Sequence, residues 1–193
     1  MEYGRRAFLA AILAAALPFG PAAAEMDIRT AAITDYIDAN VRPWLTDPAI
    51  VNAILAQNGA HAGLSQAQID ALDTRWRTEL PSRTRPMIEA QLSNPLSRYL
   101  KDRQRGADGV ITEIFVMDNR GLNVGQSDIT SDYWQGDEAK WQKSFGDNAL
   151  YIEEAGRDES TQLMQSQASL PITDPDTGAV IGAITIGINL DAL

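Results

Sequence analysis

Residues 180–190, close to the end of the chain, alternate large and small side chains more regularly than any other segment. One set of alternate positions is almost entirely large and apolar: Val180, Gly182, Ile184, Ile186, Ile188 and Leu190. The other set is mostly small: Ile181, Ala183, Thr185, Gly187 and Asn189. A period of two predicts a β-strand whose first face lies in a hydrophobic core. The small side chains of the second face would let a helix or a ligand approach the sheet closely.

The rest of the chain divides into a helical first half and a strand-forming second half. Periodicity and caps predict two helices over 27–41 and 49–57. A third helix is predicted to begin at the capping box of Ser65 and Gln68, and a fourth at Pro86, with a kink at Pro95. Alternation and turn residues predict strands over 111–118, 122–127, 150–154, 162–170 and 180–190, with a hairpin across 156–158. These elements predict one α+β domain, with long N-terminal helices followed by an antiparallel sheet of about five strands.

Several residues of the helical half have a simple structural interpretation. Trp76 shares one helical face with Ile69, Leu72 and Leu80, which predicts a core residue. His61 is the single histidine and follows a predicted helix end at Gly59, which indicates a surface position. A basic cluster is interpreted as complementing a helix C-terminus, with a docking patch for an acidic partner as the alternative. The cluster consists of Arg98, Lys101, Arg103 and Arg105.

The N-terminus has the features of an export signal. Arg5 and Arg6 precede an apolar run over 7–17, and small residues at 22–24 provide a cleavage site. Residues 4–9 resemble a twin-arginine signal, with a general secretory signal and a retained anchor helix as alternatives. We therefore expect a signal peptide over 1–24 and a single periplasmic domain over 25–193.

Composition excludes several classes of function. The formal net charge is −10 and the isoelectric point is near 4.5, which argues against nucleic acid as a partner because phosphate binding needs a cationic surface. The absence of cysteine excludes disulfides and zinc–thiolate sites, and a single histidine excludes a histidine-rich metal cluster. No nucleophile or phosphate-loop motif is present, so we expect no enzyme activity, no cofactor and no metal. A calcium site among Asp128, Asp132, Asp137 and Glu138 is conceivable, but the spacing does not match an EF-hand loop.

Residues 128–145 form the strongest candidate for a ligand pocket. A short helix capped by Ser131 or Asp132 would place five side chains on one face: Trp134, Asp137, Glu138, Trp141 and Phe145. Aromatic walls with a few polar groups are typical of ligand sites, and carboxylates beside aromatic rings suit an amine. The aromatic residues could instead anchor the helix to the sheet while the carboxylates remain exposed to solvent. Tyr133 is either a core residue or a hydroxyl donor to a ligand.

The strand over 162–170 supplies the opposite wall of this candidate pocket. Gln165, Gln167 and Ser169 lie at a period of two and therefore share one face of the strand. They could be the hydrogen-bonding floor of the pocket or the solvent-exposed face of an edge strand.

Three segments resemble Cache domains, the extracytoplasmic sensor modules also called PDC domains. They are the strand–turn–strand over 115–122, the stretch over 131–141 and the closing hairpin over 169–188. The resemblance covers 26–193 and implies a stand-alone, single-module domain with a PAS-like sheet and a small-molecule pocket on one face. It implies an amino acid, carboxylate or amine as the ligand, and allows a homodimer through the N-terminal helix. Since the sequence stops at Leu193 without an output domain, we expect a separate partner: a membrane-bound histidine kinase, chemoreceptor or transporter.

Two other functions remain compatible with the sequence. A structural or accessory periplasmic protein could use the same fold without a ligand, its pocket filled by its own side chains. A small hydrolase would need a pair of carboxylates such as Asp137 and Glu138 in a cleft.

Overall fold

In the computed structural model, which describes residues 21–157 and 163–193, helices come first and strands second. The helices are α1 (Pro21–Asn40), α2 (Pro48–His61), α3 (Gln66–Glu79), α4 (Pro86–Ser93), α5 (Pro95–Arg105) and α6 (Ala139–Trp141), with a 3₁₀ turn over Arg42–Trp44. The strands are β1 (Ile111–Met117), β2 (Asn123–Gln126), β3 (Tyr151–Ile152), β4 (Gly156–Arg157), β5 (Met164–Thr173) and β6 (Val180–Asn189). The predicted α+β class and the order of the elements are confirmed.

The strands form one antiparallel sheet in the order β2-β1-β6-β5-β3, and β4 also pairs with β5. The alternating strand recognised in the sequence, β6, thus lies at the centre of the sheet. Gly156 and Arg157, predicted as part of a turn, pair instead with Gln165 and Met164 of β5. Asp158, the last residue of that predicted turn, lies outside the described residues.

The large apolar side chains of β6 face the helices, as the alternation predicts. Ile184, Ile186 and Ile188 are fully buried in the main hydrophobic core. The helices contribute Ile33 and Ile37 of α1, Ile50, Val51 and Ile54 of α2, and Leu96 and Leu100 of α5. All the long helices therefore cover one face of the sheet or its β2 edge, and the small face of β6 points the other way.

The helix ends follow local capping chemistry. The Ser65–Gln68 capping box is present at the start of α3. At Pro95 the chain breaks instead of kinking, because the Asn94 side chain accepts a hydrogen bond from the Ser97 N–H and starts α5 as a new helix. Gly59 does not end α2, which continues to His61.

The predicted signal peptide stays a prediction, because residues 1–20 lie outside the described part of the chain. Within residues 21–157 and 163–193, no helix combines the length and the apolar character needed to cross a membrane.

A second, smaller core joins α3 and α4 to the loop after β2. Trp76 is fully buried there with Ile69, Ile88, Leu122 and Tyr133, which confirms its predicted core position. Glu79 at the end of α3 accepts hydrogen bonds from the N–H groups of Met87 (2.7 Å) and Ile88 (3.1 Å), the first turn of α4. A buried carboxylate thus holds the two helices together.

We expect Glu79 to stabilise the domain at neutral pH and to lose this contribution in acid. Burial alone would raise the pKa of its carboxyl group, but hydrogen bonds from Ile88, Arg75 and Met87 hold the pKa below its ordinary value. A depressed pKa stabilises the folded state above the ordinary value of about 4.3, and this contribution disappears as the pH falls through the folded-state pKa. In urea unfolding at pH 7 and pH 4, Glu79→Gln should lower stability at pH 7 and reduce the acid dependence. The control Glu89→Gln, at an exposed position of α4, should behave as the wild type. If Glu79→Gln kept the pH dependence of the wild type, Glu79 would not be the source of the loss of stability in acid.

Candidate functional site

The segment after β2 is extended where the sequence predicted a helix. Asp73 of α3 accepts hydrogen bonds from the N–H groups of Tyr133 (2.9 Å) and Trp134 (3.1 Å). The Gln135 N–H donates to the Gly121 carbonyl oxygen at 2.7 Å. The Asn123 N–H donates in turn to the Tyr133 carbonyl oxygen at 3.0 Å, so Trp134 forms an antiparallel bridge with Leu122. This pairing holds the segment extended, and α6 begins only at Ala139. The shared helical face from Trp134 to Phe145 was therefore a wrong prediction.

Tyr133 and Trp134 belong to the second core. The Tyr133 ring stacks on Trp76 with 5.6 Å between ring centroids, and burial, followed by the nearby Asp118 charge, raises the pKa of Tyr133 to about 12. The Trp134 indole donates to the Arg120 carbonyl oxygen at 2.8 Å. Both side chains fix the loop to α3 and to the β1–β2 turn, and ligand contact by either stays a prediction.

The two carboxylates of this segment lie apart from those aromatic rings. Asp137 is exposed in the turn before α6, and Glu138 pairs with Lys140 at 2.9 Å. The Lys140 ammonium also lies 5.5 Å from the centroid of the Phe115 ring. A ligand role for Asp137 stays a prediction, but the Lys140 ammonium places a positive charge beside β1 that the sequence did not reveal.

Residues 139–146, here the cover helix, lie across the sheet face opposite the long helices. The chain continues from α6 into a π-helical turn over Gln142–Gly146. The Trp141 and Phe145 rings stack at 4.9 Å and pack against Phe115, Met117 and Ala183. The Trp141 indole donates to the Asp118 carbonyl oxygen at 3.2 Å. An aromatic wall therefore stands over the small face of β6.

The sheet surface beneath that wall carries a group of hydrogen-bonding side chains, which we call the polar face. Its members are Thr112, Glu113, Gln167, Ser169 and Thr185, arranged around Gly187. Ser169 and Thr185 are fully buried, and their hydroxyl oxygens are 2.8 Å apart. The Gln167 amide donates from Nε2 to Glu113 Oε1 at 2.7 Å. Register places Gly187 between Glu113 and Gln167.

Gly187 is required for this arrangement. A Cβ at that position would collide with the Thr112 hydroxyl oxygen and with Cγ of Glu113. Because glycine leaves the space free, a side chain of β1 and a side chain of β5 meet across β6. Two buried oxygens of the polar face, Thr112 Oγ1 and Gln167 Oε1, have no hydrogen-bond partner among the described residues.

Asp118 joins this region to α2. It is fully buried, and Oδ1 accepts from the N–H groups of Arg120 (2.8 Å) and Leu122 (2.9 Å), closing the turn that Gly121 completes with a φ of 80°. Asp118 Oδ2 lies 2.9 Å from Gln57 Nε2 and 3.0 Å from His61 Nδ1. The predicted surface position of His61 was wrong: its side chain is only 20% exposed, because the last turn of α2 faces this carboxylate.

The four residues of the basic cluster and one residue of the conceivable calcium set have partners within the domain. In the basic cluster, Lys101 pairs with Asp128 at 3.1 Å, and Arg105 with Asp102 at 2.9 Å. Arg103 lies over the Trp44 and Tyr99 rings, and Arg98 donates to the Ser93 carbonyl oxygen. Asp132 of the conceivable calcium set pairs with Arg77 at 2.8 Å. In the described part of the chain, no group of three or more acidic or histidine side chains could hold a metal ion.

Two cavities flank the β3–β4 edge. One, of about 400 Å³, is lined by Glu153, Glu154, Gly156, Arg157, Gln165, Ser166 and Gln167. The other, of about 360 Å³, lies beside α1 and is lined by Met26, Arg29, Thr30, Ile33, Ile152, Glu153, Glu154, Ala155 and Ser166. The first cavity brings Gln165 and Gln167, two of the predicted site residues, to a common opening at the polar face.

Comparisons with known proteins give likenesses of structure. No protein-family model matches the sequence, and no curated protein matches it. The sensor domain of the V. cholerae histidine kinase DctB is similar at 14% identity and a TM-score of 0.48, over 89% of this chain and 55% of that one. The sensory domain of the Campylobacter jejuni chemoreceptor Tlp3 with isoleucine bound has 14% identity and a TM-score of 0.40, over 85% and 56%. The ligand-binding domain of the Pseudomonas aeruginosa PAO1 amino acid chemoreceptor PctC in complex with GABA has 13% identity and a TM-score of 0.41, over 88% of this chain and 60% of that one.

The chain is similar to sensor domains. The chain spans about 55–60% of the length of the three similar chains. Of the seven predicted site residues, Trp141, Gln167 and Ser169 lie at the polar face or its cover, and Gln165 lies at the adjoining cavity. Sequence reasoning missed Thr112, Glu113, Lys140 and Thr185. A signal for Glu113 was available, since it is the one charged residue within the apolar strand 111–117.

Proposed function

We propose that this domain is an extracytoplasmic sensor module that binds a small polar metabolite on its polar face. The observation that carries the proposal is the set of buried and half-buried hydrogen-bonding side chains on the sheet face that carries the cover helix. Two buried oxygens of this set, Thr112 Oγ1 and Gln167 Oε1, have no hydrogen-bond partner among the described residues. Buried polar groups normally find partners, and an unpaired one costs about 1–3 kcal/mol. A ligand that supplies the missing donors would recover that free energy. Aromatic walls with few polar groups are also typical of small-molecule sites.

We also propose that the domain acts in the periplasm and reports occupancy to a separate membrane-bound histidine kinase, chemoreceptor or transporter. The export-signal features of residues 1–24 support the location. The contacts of Trp141 support a route for the signal, because its indole binds the Asp118 carbonyl oxygen and the Asp118 carboxylate contacts α2. A ligand that displaces the cover helix would thus act on the α2 end of the domain.

The accessory-protein alternative has one observation in its favour. The Ser169–Thr185 and Gln167–Glu113 pairs satisfy much of the polar face from within. A protein that uses the fold without a ligand would show the same pairs. The two functions differ in whether any small molecule stabilises the domain.

A thermal-shift screen of amino acids, amines and carboxylates tests the proposal. A ligand at 100 times its Kd adds about 2.7 kcal/mol of stability, or roughly 5–10 °C in Tm for a domain of this size. The double variant Ser169→Ala, Thr185→Val removes both buried hydroxyl groups together, so its own stability should change little while the ligand-induced shift falls. Glu89→Ala, at an exposed position of α4 outside the predicted site, is the matched control and should keep the full shift. The accessory function is favoured if no compound shifts the wild type.

A further inference from the structure

We propose that the polar face selects a ligand carrying an ammonium group, bound beside Gly187 by the oxygens of Thr112, Glu113 and Gln167. This inference rests on the proposed function and names the chemical class of its ligand. It is based on the hydrogen-bonding groups that meet at this point of the sheet, and on which of their donors and acceptors already have partners within the protein.

The three side chains offer acceptors. Gln167 uses its Nε2 donor on Glu113 Oε1, which leaves the amide oxygen buried and without a partner among the described residues. The Thr112 hydroxyl oxygen is in the same situation. Its position over Gly187 follows from the β-bulge between Ile111 and Glu113, which brings an additional β1 residue onto this face.

An ammonium group complements this set because it has three N–H donors and no acceptor. It could donate to the carboxylate, to the amide oxygen and to the hydroxyl oxygen together, and hydrogen bonds between charged partners are the strong ones. A carboxylate in the same place would meet two unpaired oxygens and a like charge. The polar face should therefore discriminate between these two classes of ligand.

The surrounding charges also favour a cationic ligand. The adjoining cavity has Glu153 and Glu154 in its lining together with Arg157. Gln167, which also lines it, is hydrogen-bonded to Glu113. The Lys140 ammonium on the same face is held by Glu138 and lies near Phe115. The formal net charge of −10 further raises the local concentration of cations.

Matched pairs of compounds test the ligand class on the whole protein. GABA and γ-hydroxybutyrate differ only in an ammonium against a hydroxyl group, as do L-isoleucine and its α-hydroxy analogue, and succinate supplies carboxylates alone. Titration calorimetry and thermal shift should show that an amine member binds about tenfold or more tightly than its hydroxy analogue, a lower bound for a site built to hydrogen-bond one group. Glu113→Gln and Thr112→Val should each remove most of that preference, whereas Glu89→Gln, at an exposed position of α4, should keep it.

The outcomes separate the inference from the proposed function. Equal binding of the amine and hydroxy members, binding of succinate alone, or a preference unchanged in Glu113→Gln and Thr112→Val would overturn the ammonium site while leaving a sensor of other ligands. The absence of binding by any compound, here and in the wider screen, would overturn both. Retention of the preference in Glu89→Gln together with its loss in Thr112→Val, a variant that leaves every charge in place, supports the site independently of any effect of Glu113 on folding.

Discussion

Replacing Asp118 with alanine is expected to lower the free energy of unfolding by at least about 3 kcal/mol, because one buried and two half-buried donors lose their acceptor at once. The donors come from two parts of the chain: the Arg120 and Leu122 amides of the turn, and Gln57 of α2. His61 Nδ1 also loses its partner. Each unsatisfied buried donor costs about 1–3 kcal/mol, and the removed side chain leaves a void. Urea unfolding at pH 7 measures the loss.

Two matched variants identify the cause. Asp118→Asn keeps an oxygen for the two backbone amides and should recover much of the loss. Asp137→Ala removes an exposed carboxylate and should change stability by less than about 0.5 kcal/mol. Should Asp118→Ala be no less stable than Asp137→Ala, the turn would not depend on this carboxylate. The link from the cover helix to α2 would then lose its support.

Replacing Trp76 with alanine is expected to lower the free energy of unfolding by about 3–5 kcal/mol. The side chain is fully buried in the second core, stacks on Tyr133, and donates from Nε1 to the Thr130 carbonyl oxygen at 2.9 Å. Its removal leaves a cavity of ring size and an unpaired carbonyl oxygen beside the loop that precedes the cover helix. Chemical denaturation with circular dichroism gives the value.

Trp76→Phe is the control for this prediction. Phenylalanine keeps a ring against Tyr133 but loses the hydrogen bond, so its cost should be closer to about 1–2 kcal/mol. Equal stabilities of the two variants would show that ring packing contributes little, and the second core would then be of minor importance for the fold.

The alternation over 180–190 was sufficient to predict the central strand and its buried face. Large apolar residues at every second position can satisfy only one geometry, and Ile184, Ile186 and Ile188 occupy it. The capping box at Ser65 was equally clear, because its two hydrogen bonds lie within four residues of sequence. Local rules succeed where the partners are local.

The same rules were insufficient for the segment after β2. The spacing of its aromatic residues predicts a helix, but Trp134 instead forms an antiparallel bridge with Leu122. Asp73, 60 and 61 positions before Tyr133 and Trp134, accepts from their amides and fixes the extended segment to α3. His61 was misjudged for the same reason, since its partner Asp118 is 57 positions away. Neither partner can be recognised from local spacing in a single sequence. The long-range contact overrides the local preference in both places.

Part of the candidate site could be predicted from the sequence. The period of Gln165, Gln167 and Ser169 placed them correctly on one face, and Trp141 was correctly associated with that wall. The sequence predicted Asp137 as the ligand-binding carboxylate, and that role stays a prediction. The structure also brings Glu113 to Gln167 across Gly187. That meeting depends on the order β1-β6-β5 in the sheet, which strand patterns alone do not specify.

A crystal structure of the protein with the compound that gives the largest thermal shift tests the central claim most directly. We predict that the compound lies between the Trp141 and Phe145 rings and the polar face, with a donor group within hydrogen-bond distance of Gln167 Oε1 or Thr112 Oγ1. A compound bound in the cavity beside α1 instead, against Met26 and Ile33, with the polar face unchanged, would contradict the claim.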